Sequence, residues 1–295
     1  MLDGDDKSDA VTEARTVLPA DGLVTLGGRC VHVVTQPGTG TPVVLLGGCA
    51  VPSFDWDEVA DLLPDRALVR LDRPGLLGSP WPAELPRLAA EVATLAALLE
   101  SVGPAVVVAH SMAGLHAEAV TRQRPDLVVG LVLLDGSVEF TPRKPRPRRR
   151  WLWIAQAADA AMRVPPLSLA GSFVQRLLFA AQSHRGMTEP VPPRVTQTFR
   201  DPDTIASVLA EQAAYAEQAW DLAQVRDRFV WPGIPTIVMT AGSGKRWVAK
   251  QGRLADLLSA RQVVVADSRH LIMIDRPDVV AEAVDGLLGG NDDHG

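Results

Sequence analysis

Cysteine is almost missing from this chain: Cys30 and Cys49 are the two it has among 295 residues. Two thiols cannot build a disulfide framework, and with the scattered histidines they offer no metal-ligand spacing. A basic excess is lacking too, because 29 Lys and Arg stand against 35 Asp and Glu, and the net charge of -6 argues against a nucleic-acid partner. No apolar run approaches bilayer length, and the start M-L-D-G-D-D-K-S-D lacks the basic flank and apolar core of a signal peptide. There is no sign of a repeat array. These absences point to a cytoplasmic protein without a cofactor or metal.

What remains is an ordinary globular composition, 47% hydrophobic and 22% charged. Residues 1–20 are polar and acidic without period, so a frayed tail is expected there and again over 290–295. Leu23 to Leu26 and Cys30 to Thr35 flank Gly27-Gly28, which predicts a hairpin. Strands and helices then alternate: a strand over 43–46, a helix over 56–63, a strand over 67–71 and a helix over 85–99. A further strand and helix meet at Ser111, and a strand covers 128–134. Between about Gly136 and Trp231 the alternation stops and the sequence turns helical, rich in alanine and punctuated by proline. It resumes with a strand over 236–240, a helix over 247–258, a strand over 263–266 and a last helix opened by Pro277. The expected fold class is α/β, a mostly parallel doubly wound sheet with an N-terminal antiparallel hairpin. Its core would comprise 21–137 and 230–289, with 138–229 inserted between two core strands.

Residues 106–114 read V-V-V-A-H-S-M-A-G. A continuously apolar, β-branched run is what a parallel strand buried on both faces needs, and helical periodicity resumes at Leu115. The turn between is too short for a loop, so Ser111 would sit at strained backbone angles with its hydroxyl clear of the sheet and the Met112 amide beside it. Only small neighbours fit such a turn. Ala109 and Ala113 stand where the G-x-S-x-G pattern has glycine. The same residue types also suit a helix N-cap, which is the alternative to a nucleophile for the nonamer alone.

With the order of elements, the turn at Ser111, the stretch D-R-P-G-L-L-G-S over 72–79 and a histidine after the last strand, the chain resembles the α/β-hydrolase superfamily from about Leu23 to Leu288. The resemblance implies a Ser, acid, His triad in that chain order and an oxyanion hole of two backbone amides. The base it implies is His270, in S-R-H-L-I-M-I-D-R-P. His110 would point away from the serine, His116 and His32 suit structural roles, His184 lies in the insertion and His294 in the tail. The acid is less direct, because the loop A-G-S-G-K-R-W, where many hydrolases place it, has no carboxylate. Asp135, at the end of V-L-L-D and next to the nucleophile strand, is the expected acid, as in some members of the superfamily. An aspartate capping the inserted segment is the alternative, and Glu139 is the next candidate. The first oxyanion amide would come from Cys49 in G-G-C-A-V-P, beside that of Met112, with the Cys49 thiol a bystander. Asp72 and Arg73 are assigned no chemistry.

The insertion stands where hydrolases carry a cap. Trp151, Trp153, Ile154, Leu167, Leu169, Phe173, Leu177, Leu178 and Phe179 suggest an apolar inner face and a hydrophobic small-molecule substrate, unless they merely pack the cap onto the core. The basic run from Arg143 to Arg150 could touch an anionic membrane surface or an acidic group; a solvated loop is the more ordinary reading. The expected function is serine hydrolysis of a carboxylic ester or related acyl bond. Haloperoxidase-like, carbon-carbon hydrolase, lactonase and acyltransferase activities would use the same three residues, and a small-molecule receptor is the non-enzymatic alternative. Dehalogenase and epoxide hydrolase relatives would need an aspartate at Ser111.

Overall fold

The computed structural model describes residues 16–145, 149–186, 192–242 and 244–289. Most of the expected tails, part of the basic run, and the side chains of Leu167 and Leu169 therefore lie outside the described residues. The first elements are β1 (Asp21–Leu26) and β2 (Arg29–Gln36), an antiparallel pair that turns at Gly27 and Gly28. Both glycines have positive φ, 56° and 78°, which a tight hairpin of this hand requires. Next come β3 (Thr39–Leu46), β4 (Arg66–Asp72), β5 (Ala105–His110), β6 (Val128–Leu134), β7 (Thr236–Ala241) and β8 (Arg261–Val265). The described residues form an eight-stranded sheet in the order β1-β2-β4-β3-β5-β6-β7-β8. β2 is antiparallel to both its neighbours, and the pairings from β4 through to β8 are parallel.

The two-residue period of the central strands divides the core in two. On β5, Ala105, Val107 and Ala109 face one side and Val106 and Val108 the other, and all five are fully buried. The first side is covered by α2 (Leu88–Val102), α3 (Ala113–Gln123) and α8 (Lys245–Leu257), which contribute Leu95, Leu115 and Leu254. The second is covered by α1 (Asp57–Asp61), α9 (Ile272–Asp275) and α10 (Pro277–Gly289), through Val59, Ile272 and Val284. Each fully buried valine or leucine contributes about 2 kcal/mol. This double cover explains the unbroken apolar strand sequences.

One boundary differs from the periodicity. Leu85 was expected to open the second helix, but α2 starts at Leu88, just after Pro86, which disfavours helical angles in the residue before it. Leu85 instead packs against Ala155, Ala210 and Ala214 of the segment between β6 and β7.

That segment holds α4 (Arg149–Met162), α5 (Pro165–Gln182), α6 (Pro193–Thr198) and α7 (Pro202–Arg228). Its apolar residues are less inward than expected: Trp151, Trp153, Ile154, Phe173 and Leu177 are exposed, Trp153 by 71%. Among the described residues no helix is long and apolar enough to cross a membrane.

α7 ties the segment to the core through polar contacts. Thr204 Oγ1 donates to Gly75 O at 2.7 Å, and His116 on α3 meets Gln218 Oε1 at 2.6 Å. Buried Glu118 accepts from Arg122 Nε at 2.9 Å and from Arg226 Nε and Nη2 at 2.8 and 2.6 Å. Removing one carboxylate from this group leaves two largely buried guanidinium groups uncompensated. Glu118→Gln should therefore lower the unfolding free energy by about 3 kcal/mol in urea titrations. A loss below about 0.5 kcal/mol, the range of an exposed ion pair, would contradict this account.

Candidate active site

β5 runs straight into Ser111, whose φ is 52°, and α3 begins two residues later. Left-handed angles are costly for a residue with a Cβ, so the surroundings must hold them. They do so through the backbone: Ser111 N donates to Leu134 O at 3.0 Å, while Ser111 O accepts from Gly114 N and Ser137 N at 3.0 and 2.9 Å. Asp135, one strand over, repeats the device with φ 46° and its amide bonded to Met239 O at 2.8 Å. Two adjacent strands thus end on sharply turned residues with side chains raised above the sheet.

His270 lies between them, in the loop after β8. Its Nδ1 donates to Asp135 Oδ2 at 2.6 Å, and Ser111 Oγ donates to its Nε2 at 3.0 Å. A carboxylate can only accept, so the proton belongs on Nδ1 and the lone pair on Nε2 faces the serine. The other carboxylate oxygen of Asp135 accepts from Ala241 N at 3.0 Å and from Trp247 Nε1 at 2.6 Å. The loop A-G-S-G-K-R-W therefore supplies two donors to the carboxylate rather than a carboxylate of its own. Glu139, the other acid considered, instead meets Tyr215 Oη at 3.2 Å and Lys250 Nζ at 3.4 Å.

His110 does more than expected. Its ring lies 4.6 Å from that of His270, and its Nε2 donates to the His270 carbonyl at 3.0 Å. Burial, with His270 adding to it, holds its pKa well below the usual histidine value. A neutral ring is thus packed against the His270 loop and fixes its backbone. The remaining histidines stand apart: His32 bonds Asp72 and Asp21, and His184 is exposed in the inserted segment. His294 lies outside the described residues.

The loop after β3 closes the other side. A Cβ on Gly48 would come within 2.7 Å of Ser111 Cβ and 2.8 Å of His110 Nδ1, so only glycine lets this backbone approach the serine. Arg73, given no role from sequence, holds the loop in place. Its guanidinium donates to Gly47 O and, at 2.7 Å, to Gly48 O, while Nε and Nη2 meet both oxygens of Glu211 on α7 at 2.7 and 3.1 Å. Asp72 likewise accepts from Ser53 N at 2.6 Å. The partners of Arg73 lie 25 to 138 residues away in sequence, which is why its role could not be read from local pattern.

Ser111, His270 and Cys49 line one cavity of about 510 Å3. Val174, Leu178 and Phe179 of α5 and Phe199, Ile205, Val208 and Leu209 form its apolar wall. Of the seven apolar residues expected on the inner face whose side chains are described, Leu178 and Phe179 line it, and Leu178 is itself exposed. Burial pushes the Cys49 thiol far above its ordinary pKa, and its Sγ points to Val208 O at 3.7 Å, so it is no thiolate. Asp55 also lines the cavity. Burial, then the nearby Asp72, raises its pKa to about 8, with Arg194 opposing and Asp57 adding to the rise.

Comparison with known proteins agrees with this architecture. Residues 37–283 match the model of the alpha/beta hydrolase family. Lipase LipV of Mycobacterium tuberculosis (strain ATCC 25618 / H37Rv) is 43% identical over 85 residues, 28% of this chain and 32% of the relative, so the match spans about a third of that protein. Cfl2 from Burkholderia cenocepacia has a similar fold, with a TM-score of 0.71 and 21% identity over 91% of this chain and 95% of its own. So has a thermophilic esterase from Thermogutta terrifontis, with a TM-score of 0.67 and 20% identity over 92% of this chain and 98% of its own. At such identities the likeness establishes the fold.

The raised Asp55 pKa has a consequence for stability. A carboxyl whose folded pKa exceeds its unfolded value favours folding fully below the unfolded pKa and loses that contribution as pH rises through the folded one. For Asp55 the window runs from the unfolded value of 3.8 up to about 8. Asp55→Asn should consequently raise Tm more at about pH 9 than at about pH 4. An equal shift at both pH values would contradict the raised pKa.

Proposed function

Because the chain belongs to the alpha/beta hydrolase family, we propose that it is a serine hydrolase cleaving an ester or related acyl bond of a hydrophobic small molecule. The observation that carries this reading is the continuous relay from Ser111 Oγ through His270 to Asp135, with contacts of 3.0 and 2.6 Å. Ser111 Oγ attacks the carbonyl carbon while its proton passes to His270 Nε2. Asp135, held by Ala241 and Trp247, accepts the Nδ1 proton in a hydrogen bond and stabilises the imidazolium. The negative oxygen of the tetrahedral intermediate meets the amides of Cys49 and Met112. Each such donor contributes about 3 kcal/mol to the barrier lowering. His270 then returns the proton to the leaving alcohol, leaving an acyl ester on Ser111. Water, deprotonated by the same Nε2, releases the acid and restores the serine.

Residues 138–229 act in this reading as a cap on a core of 21–137 and 230–289. The cap bears on the chemistry at two places. Leu271 N donates to Gln182 O at 3.0 Å and Arg269 Nη1 to Ala180 O at 3.0 Å, so the end of α5 is strapped to the histidine loop. Glu211 on α7 braces Arg73, and through it the Gly47-Gly48 carbonyls behind the Cys49 amide. The apolar wall accepts an aliphatic or aromatic acyl or alcohol group.

Fluorophosphonate labelling followed by peptide mass spectrometry tests the nucleophile. The label should fall on Ser111 and vanish in Ser111→Ala, with kcat/KM on a short-chain nitrophenyl ester falling by about 10⁴ or more. Undiminished turnover in that variant would exclude the mechanism. Asp135→Asn should leave the fold intact and cut kcat by about 10³ to 10⁴, since the amide permits the wrong imidazole tautomer. Near-normal rates there would remove Asp135 from the relay.

A further inference from the structure

Asp55 has no part in the mechanism, yet it lines the same cavity as Ser111 and His270. It sits in the 3-10 turn Ser53–Trp56, which follows the Cys49 loop, and the first and last residues of that turn, Ser53 and Trp56, are buried. The turn is fixed from below by the bond from Ser53 N to Asp72. Among the described residues no group donates a hydrogen bond to the Asp55 carboxyl, and the influences on its ionisation are burial and through-space charge alone. Arg194, the cation that acts on it through space, is already engaged, because its guanidinium pairs with Asp57 and its charge lies 4.8 Å from the centre of the Phe54 ring. Among the described residues the cavity thus combines an apolar wall with a carboxyl, that of Asp55, which makes no ion pair or side-chain hydrogen bond.

We propose that Asp55 is a specificity-determining residue and that the cavity prefers acyl substrates bearing a protonated amine on an aliphatic spacer. The inference rests on the serine hydrolase reading for the ester, but the ammonium subsite stands on Asp55 itself. A bound ammonium group supplies the missing opposite charge, so the carboxylate becomes the favoured form in the complex. The spacer lies along Val174, Leu178 and Ile205, where a purely polar molecule would leave the wall unfilled. Gln175, Gln182 and Gln212 also line the cavity, and they are neutral donors and acceptors that complement an ammonium less well than a carboxylate does. A substrate carboxylate would form no such ion pair and would hold Asp55 in its neutral form. The preference is therefore directional.

Two measurements on the full chain separate the subsite from the chemistry. In the Ser111→Ala protein, hexylammonium should bind about tenfold more tightly than hexanol by calorimetry, and Asp55→Asn should bring the two affinities together. In the protein with Ser111 intact, para-nitrophenyl aminoalkanoates of graded length should show a kcat/KM about tenfold above their matched neutral alkanoates at the best length, mainly through KM. That ratio should also fall towards one in Asp55→Asn. If hexylammonium and hexanol bind Ser111→Ala equally, or if the preference survives Asp55→Asn, the proposal is overturned. The wild-type ratio needs no variant, so misfolding of Asp55→Asn cannot rescue it. An amine preference in binding with no turnover of any ester supports the subsite and counts against the hydrolase reading instead.

Discussion

The candidate site depends on a backbone constraint at the carboxyl ends of two parallel strands. β5 and β6 each end on a residue in left-handed conformation, Ser111 and Asp135, and strand-to-strand bonds hold both turns. Without that constraint the two side chains would lie back in the sheet. With it they rise beside each other at the height of the His270 loop. The strain is local, and the double cover of apolar side chains on β3, β5 and β6 supplies the rigidity against which it is held. Fold and site are thus linked by the same strands.

A second level of support comes from the inserted helices. α7 meets the core at Gly75, Arg73, His116 and Glu118 in succession, and α5 ends against the loop that carries His270. The wall of the cavity and the scaffold of its reacting groups therefore share contacts. A change in the packing of α5 or α7 would be felt at the Gly47-Gly48 carbonyls and at the backbone on either side of the imidazole. His110 adds a third brace, its ring tilted against that of His270.

Much of this was legible in the sequence, for identifiable reasons. The strand-turn-helix at Ser111 is a local pattern, and its apolar run and small flanking residues mark it within nine positions. The position of Asp135 could be reasoned from the emptiness of A-G-S-G-K-R-W, which excludes the commoner place for an acid; the structure sets its carboxylate against His270 and turns the same loop into its hydrogen-bond donor. What was not legible depends on distant pairing. Arg73 looks like part of a turn until Glu211 and the Gly47-Gly48 carbonyls are brought to it. His110 reads from sequence only as a residue pointing away from the serine, because its partner, the His270 carbonyl, is 160 residues on. The exposed tryptophans of α4 show the opposite error, since hydrophobicity in the inserted segment does not by itself say which face is inward.

The most direct test of the central claim is the covalent intermediate itself. Rapid mixing of the protein with a nitrophenyl ester, quenched in acid and followed by peptide mass spectrometry, should show a burst of nitrophenol approaching one equivalent and an acyl group on the peptide containing Ser111. An acyl group on Cys49, or steady turnover with no acylated serine at any time, would contradict the account.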